Sequence, residues 1–307
     1  MIPCLDLGGD GPALHFAHAN GYPPECYRPL LAGLSAHYGS SLRYHYGSSL
    51  RYHYGSSLRY HYHVFAMHQR PLWPDVQPGS LDDWHPLTDD LFRFLDERGP
   101  GAVIGVGHSL GGIVTLRAAL RQPERFRALV LIDPVLFPPP MIAAMRLMRA
   151  FGLSYRLHPL VQTALRRRRV FESREVLLKG YRRKSIFRYM NDASLKAYVE
   201  GLTRPRPDGK YELVYSPEWE ARIYVTGVWR DLDLWRGLPR LELPLLILRG
   251  AETDTFWEST AHLVKRKLPS AQVVTLPQAT HLVPLERPLE VSALIHEFIS
   301  TLPQPRT

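Results

Sequence analysis

The stretch from Ala102 to Leu120 constrains this chain more than any other. Ala102-Val103-Ile104-Gly105-Val106 is an apolar run with the length of a buried strand, and Ile113 to Leu120 has the make-up of a helix. Between them stands Gly107-His108-Ser109-Leu110-Gly111, a Gly-x-Ser-x-Gly pattern at a strand-to-helix junction. A turn this sharp holds its central serine in a strained conformation, and a side chain at either flanking position would collide with neighbouring backbone. The serine then sits at a helix N-terminus, where free N–H groups and the helix dipole stabilise a developing negative charge. A dinucleotide-binding loop is excluded, because Gly105-x-Gly107-x-x-Leu110 has leucine where the third glycine of that fingerprint belongs.

The remaining chain repeats the alternation. Short apolar runs predict strands at Ala13 to Ala17, Val64 to Met67, Ala128 to Ile132, Leu245 to Leu248 and Gln272 to Leu276. Helical spacing covers Tyr27 to Ala36, Leu81 to Arg98 and Val291 to Thr301. This pattern predicts the α/β class, a mainly parallel sheet with helices on both faces. With 307 residues, 45% of them hydrophobic and 22% charged, the chain can bury a large core and does not have a disordered composition. No apolar run reaches the length of a membrane span. Cys4 and Cys26 form no CxxC pair, and Met1 to Asp6 lacks the basic and apolar regions of a secretory signal, so the expected location is cytoplasmic.

One segment breaks the order. From His37 to Tyr62 the octapeptide His-Tyr-Gly-Ser-Ser-Leu-Arg-Tyr occurs in three identical copies, beginning at His37, His45 and His53 and followed by His61-Tyr62. Identity without drift points to a recent duplication or an artefact. It lies where a helix-to-strand connection of a few residues is usual. The expectation is a tolerated surface insertion, flexible or folded as a small β-meander, with no part in the chemistry; an interaction role is the alternative.

In open α/β sheets, ligands sit beyond the carboxyl ends of the strands. After the strand ending at Leu276 comes His281, an imidazole placed to take a proton from Ser109 and return it to a leaving group. The carboxylate that orients such a histidine is assigned to Asp254, after the strand ending at Leu248, with Glu252 and Asp133 as rivals. Asp133 reads equally as a helix cap or a turn residue before Pro134. The two oxyanion donors are assigned to the N–H of Leu110 and to the loop at Asn20, which otherwise reads as an ordinary Asn-Gly turn. His108, His262 and His296 lack such a setting and are read as structural. No His, Cys, Asp and Glu cluster has metal-ligand spacing, so neither metal nor cofactor is expected.

These residues together resemble the α/β-hydrolase fold superfamily, in its capped serine-hydrolase branch that includes bacterial carboxylesterases. The resemblance rests on Phe16-Ala17-His18-Ala19-Asn20-Gly21, the elbow at Ser109, Gly250 to Asp254, and Thr280 to Pro288. It implies Ser109 as nucleophile, Asp254 as acid and His281 as base. Two departures stand out: His18-Ala19-Asn20-Gly21 replaces the usual His-Gly-x-Pro, and His68-Gln69-Arg70-Pro71 replaces the usual Asp-x-x-Gly. A serine nucleophile argues against epoxide hydrolases and haloalkane dehalogenases, which use aspartate on similar folds.

Pro138-Pro139-Pro140 opens a basic stretch, expected to be a helical cap over residues 138–217, with residues 1–137 and 218–307 forming the core. The net charge of +9 is concentrated there: from Pro138 to Arg222 there are 18 Lys and Arg against 8 Asp and Glu, leaving −1 for the rest. Its apolar residues (Met141, Met145, Met148, Phe151, Tyr155, Phe171, Tyr181, Phe187 and Tyr189) read as the cap's packing face, with an acyl pocket as the alternative. Arg166 to Arg169 read as a solvated face, with a dock for an acidic carrier protein or an anionic membrane as the alternative; a surface-wide nucleic-acid footprint is not indicated. The expected activity is hydrolysis of a small-molecule carboxylic ester through an acyl-enzyme. A thioesterase, lactonase, amidase, acyltransferase or carbon–carbon hydrolase would use the same residues, and a non-catalytic binding protein on this fold is the rival from another class.

Overall fold

The computed structural model describes residues 1–35, 62–153 and 158–303. The octapeptide repeats therefore lie outside the described residues, apart from Tyr62, as does Tyr155. The core strands are β1 (Cys4–Gly8), β2 (Ala13–Ala17), β3 (His63–Met67), β4 (Val103–His108) and β5 (Phe126–Ile132). Between them run α1 (Arg28–Ser35), α2 (His85–Arg98) and α3 (Leu110–Arg121). An insertion follows: α4 (Pro139–Ala150), α5 (Pro159–Leu165), β6 (Val170–Phe171), α6 (Arg174–Arg182), α7 (Asp192–Leu202), β7 (Thr203–Pro205), β8 (Tyr211–Leu213) and α8 (Pro217–Thr226). It runs one helix past the expected boundary at residue 217, because α8 packs on α5. The core resumes with α9 (Leu232–Gly237), β9 (Leu245–Gly250), α10 (Glu258–Lys267), β10 (Gln272–Leu276), α11 (Val283–Glu286) and α12 (Pro288–Ser300).

The seven-stranded sheet has the order β1-β3-β2-β4-β5-β9-β10, all parallel except β1, which runs antiparallel to β3. Side chains of a strand alternate between faces, and the two faces build two cores. Val64, Ile104, Val130 and Leu248 pack with α1, α7 and α12, whereas Phe65, Val103, Leu131 and Ile247 pack with α2, α3 and α10. Every residue of β4 and of β9 is buried, which is why Val103 to Val106 and Leu245 to Leu248 read as apolar runs. The order also decides the site's position: β4, β5 and β9 are consecutive neighbours, so whatever follows their carboxyl ends is brought together.

The fold class read from the sequence is the one found. Strand β1 escaped that reading because only one partner supports it and it is half-exposed, giving no long apolar run. The insertion is mainly helical but also contains a three-stranded antiparallel sheet, β6-β8-β7, from strands of two or three residues that carry no periodic signal. It is fastened to the core by polar contacts as well as apolar ones: Trp84 Nε1 donates to the carbonyl of Ile223 at 3.1 Å, and Cys26 Sγ to that of Tyr198 at 3.4 Å. Among the described residues, no helix is long and apolar enough to cross a membrane.

Candidate active site

Ser109 stands between β4 and α3 with φ 56° and ψ −117°, a conformation that side chains with a Cβ rarely adopt. The packing that enforces it is visible at both flanking glycines. A Cβ on Gly107 would lie 2.4 Å from the Gly111 carbonyl oxygen, and one on Gly111 would lie 2.0 Å from that of Ala17. Both distances are far inside van der Waals contact, so the pattern reflects steric necessity. The second clash also shows how closely the end of β2, and with it the His18-Ala19-Asn20 loop, abuts the elbow. The Ser109 N–H donates to the Ile132 carbonyl at 3.0 Å, tying the turn to β5.

His281 reaches back from the loop after β10. Ser109 Oγ and His281 Nε2 are 2.9 Å apart, and His281 Nδ1 is 3.0 Å from Asp133 Oδ1. With Nδ1–H donating to the carboxylate, Nε2 is left as the acceptor for the serine hydroxyl. That is the tautomer needed for a base. The histidine's loop is held by Glu286, whose carboxylate accepts from Thr280 N–H at 2.8 Å and from Thr280 Oγ1 at 2.7 Å. Burial pushes the Glu286 carboxyl above its usual range.

The carboxylate beside His281 is that of Asp133, the rival, and not that of Asp254. Asp133 follows β5, is fully buried, and has φ 42°. Besides His281 it accepts from Thr253 Oγ1 at 2.6 Å, Phe256 N–H at 3.4 Å and, on its other oxygen, Gly250 N–H at 3.0 Å. The loop after β9 thus wraps around Asp133 as a set of donors. That geometry turns Asp254 outward, where its carboxylate is exposed and accepts from Thr255 Oγ1. Glu252 is also exposed and is paired with Arg188 and Tyr189 of the insertion. Since β5 and β9 are in-register neighbours, Ile132 opposite Leu248, their ends offered two equivalent positions. The choice between them was made by side-chain and backbone donors that no local pattern displays.

Leu110 opens α3, so its N–H has no acceptor within the helix. The Asn20 side chain is committed elsewhere: its oxygen accepts from Tyr215 Oη at 2.9 Å and its nitrogen donates to the Glu220 carbonyl at 3.1 Å. The residue therefore staples its loop to the insertion, and only its backbone is left for an oxyanion.

A second set of contacts was not anticipated. His108 Nε2 is 2.8 Å from the His281 carbonyl, which can only accept, so Nε2 carries the proton. Burial, with the neighbouring His281, drives the His108 pKa well below normal and keeps the ring neutral. Nδ1 is then an acceptor, and Tyr27 Oη donates to it at 2.7 Å. The Tyr27 oxygen accepts in turn from Ala19 N–H at 3.3 Å. One directed chain of hydrogen bonds therefore joins the loop at Asn20 to the backbone of His281 through the residue preceding Ser109. His18 anchors the same loop, with Nδ1 2.8 Å from the Ala19 carbonyl and Nε2 accepting from Gln69 N–H at 3.0 Å. Gln69 lies in the His68–Pro71 stretch that departs from the usual pattern. The sequence signals were present, a tyrosine and histidines near the motif, but none indicated who bonds to whom.

Over this loop the insertion places an aromatic cluster. Tyr198 packs against Tyr22, Tyr181 and Phe187 with ring centroids 5.4, 5.6 and 5.3 Å away. Tyr181 and Phe187 are buried in it, as a packing face requires, whereas Phe151 is exposed. Within Arg166 to Arg169, Arg167 departs from the solvated reading: it turns inward to Glu220 at 2.8 Å and Tyr181 Oη at 2.8 Å.

Residues 16–294 match the alpha/beta hydrolase family. Among curated relatives, the chain is 27% identical over 198 residues to the uncharacterized hydrolase YugF of Bacillus subtilis, covering 63% of this chain and 64% of that protein. It is 46% identical over 67 residues to the lipase LipV of Mycobacterium tuberculosis, covering 20% of this chain and 26% of that one. The chain thus matches less than two thirds of either relative's length. The solved structure of E-2-(acetamidomethylene)succinate hydrolase shares the fold, with a TM-score of 0.72 at 20% identity over 98% of this chain and 95% of that one. With the family match spanning residues 16–294, this protein belongs to the alpha/beta hydrolase family, and its fold agrees with that match.

Proposed function

We propose that the protein is a serine hydrolase that cleaves carboxylic esters through an acyl-enzyme, with Ser109, His281 and Asp133 as its triad. The observation that carries the reading is the continuous Ser109–His281–Asp133 contact, at 2.9 and 3.0 Å, built from the ends of β4, β10 and β5. His281 Nε2 takes the proton as Ser109 Oγ attacks the ester carbonyl, and the Asp133 carboxylate stabilises the imidazolium that forms. The N–H groups of Leu110 and Asn20 receive the oxyanion. The imidazolium then protonates the departing alcohol. Water, deprotonated by the same histidine, attacks the acyl carbonyl and releases acid and free enzyme. The insertion acts as a cap, its aromatic cluster over the Asn20 loop covering the acyl side of the site. A relative named as a lipase favours an ester as substrate.

The test is a fluorophosphonate probe with peptide mapping, run beside Ser109→Ala and followed by 4-nitrophenyl ester turnover. Rapid labelling confined to Ser109, with ester hydrolysis lost in the variant, is the expected result. A folded sample that neither labels nor turns over esters would remove the reading.

A further inference from the structure

From Pro134 to Phe171 the chain contains seven arginines and no lysine, aspartate or glutamate. Helix α4 lies in this stretch, one short loop beyond Asp133, and only one side of it meets the core. Ile142 is fully buried and Met145 packs beside it, while Ala143, Leu147, Ala150 and Phe151 follow each other at helical spacing on the opposite side. Leu147 is 60% and Phe151 71% exposed. Helix α5 repeats the arrangement. Val161 and Ala164 close on Ala221 and Val225 of α8, and Leu160 and Leu165 face out at 47% and 44%. Met1, Val176 and Ile186 are as exposed, each on a different segment, whereas α4 with its C-cap and α5 carry two such side chains apiece, and a grouping of them marks a contact surface.

The cations interleaved with these side chains point to the partner. Arg146 and Arg166 are exposed and have no carboxylate within ion-pair distance among the described residues, in contrast to Arg167, Arg168 and Arg169, which pair with Glu220, Glu172 and Glu218. Arg149 lays its guanidinium over the Trp229 ring at 4.7 Å. An acidic protein would need an apolar patch of its own, matched in position, to cover Leu147 and Phe151. A bilayer of anionic lipids takes both: the apolar side chains enter the acyl boundary while arginines on long stems stay among the phosphates. We infer that the outer faces of α4 and α5 dock this protein on anionic membrane surfaces, with α4 lying in the interface plane and the candidate active site close behind it.

The test is co-sedimentation of the whole chain with vesicles of phosphatidylcholine alone and of phosphatidylcholine with phosphatidylglycerol, at low and high salt. Binding is read without substrate, so its outcome is separate from that of the ester-hydrolysis reading. The expected result is binding to the anionic vesicles that exceeds that to neutral ones at least tenfold and weakens in salt. Arg146→Gln with Arg166→Gln reduces it on the order of 30-fold, at two surface charges removed. Leu147→Asp with Phe151→Asp abolishes it, and Leu289→Ser on α12 leaves it unchanged. All five positions are exposed, and an unchanged melting temperature verifies each fold. Equal binding to both vesicle types, or binding that survives the aspartates, overturns the inference. So does saturable binding of purified acyl carrier protein without vesicle binding, or a dimer of this chain that the aspartates dissociate.

Discussion

Replacing Asp133 with asparagine separates the two carboxylates that the chain offers to His281. The wild-type group is ringed by donors only: His281 Nδ1, Thr253 Oγ1 and Phe256 N–H at Oδ1, and Gly250 N–H at Oδ2. An amide has one accepting oxygen and one donating nitrogen, so one side of the ring meets a donor with a donor. With the amide oxygen toward His281, the NH2 faces the Gly250 N–H inside a fully buried site, costing about 1–3 kcal/mol. Turned over, the NH2 faces Nδ1, which must then accept. The histidine proton moves to Nε2, and the base points a donor at Ser109. Loss of the charge behind the imidazolium and of the working tautomer lowers kcat on the order of 10^4-fold, about 5 kcal/mol. The exposed Asp254 accepts from Thr255 Oγ1, and Asp254→Asn should change kcat less than about twofold. The assay is 4-nitrophenyl acetate turnover with circular dichroism of each variant. A hundredfold loss in Asp254→Asn, with Asp133→Asn within tenfold of wild type, would refute the reasoning.

Two further outcomes follow from buried groups. Tyr27→Phe breaks the Ala19–Tyr27–His108–His281 chain at its centre, leaving the Ala19 N–H and His108 Nδ1 unpaired. It should lower kcat about tenfold with KM little changed; an unchanged kcat in a folded variant would show that the chain does not position the site. His15 on β2 lies between Phe65 and Phe94 with neither ring nitrogen bonded among the described residues, and burial lowers its pKa from 6.5 to about 3. The folded state thus keeps this imidazole neutral while the unfolded chain takes up a proton, and stability falls as pH drops from 6.5 toward 3. His15→Leu should remove about 1.4 kcal/mol per pH unit of that slope and raise the melting temperature at pH 5. Denaturant titrations at pH 7 and pH 5 check it: parallel losses in both proteins would contradict the assigned burial.

What the amino-acid order determined by itself is whatever depends on neighbours in the chain. Apolar runs of strand length, helices between them and a serine between two glycines are local patterns, and they were enough for the sheet class and the elbow. The clashes at Gly107 and Gly111 show why: no other residue fits, so the motif and the geometry are one constraint. His281 was legible for a related reason, since it follows a clearly apolar strand at the end where such sheets bind ligands. The acid was not. Asp133 and Asp254 follow adjacent in-register strands, and local sequence treats them alike. Only the folded β9 loop, aiming Gly250, Thr253 and Phe256 at Asp133, breaks the tie. The same holds for the roles of Tyr27, His108 and Gln69, and for the inward turn of Arg167 within a run of identical arginines. A hydrogen bond between residues far apart in the chain depends on where two segments stop in space, and that is decided by packing.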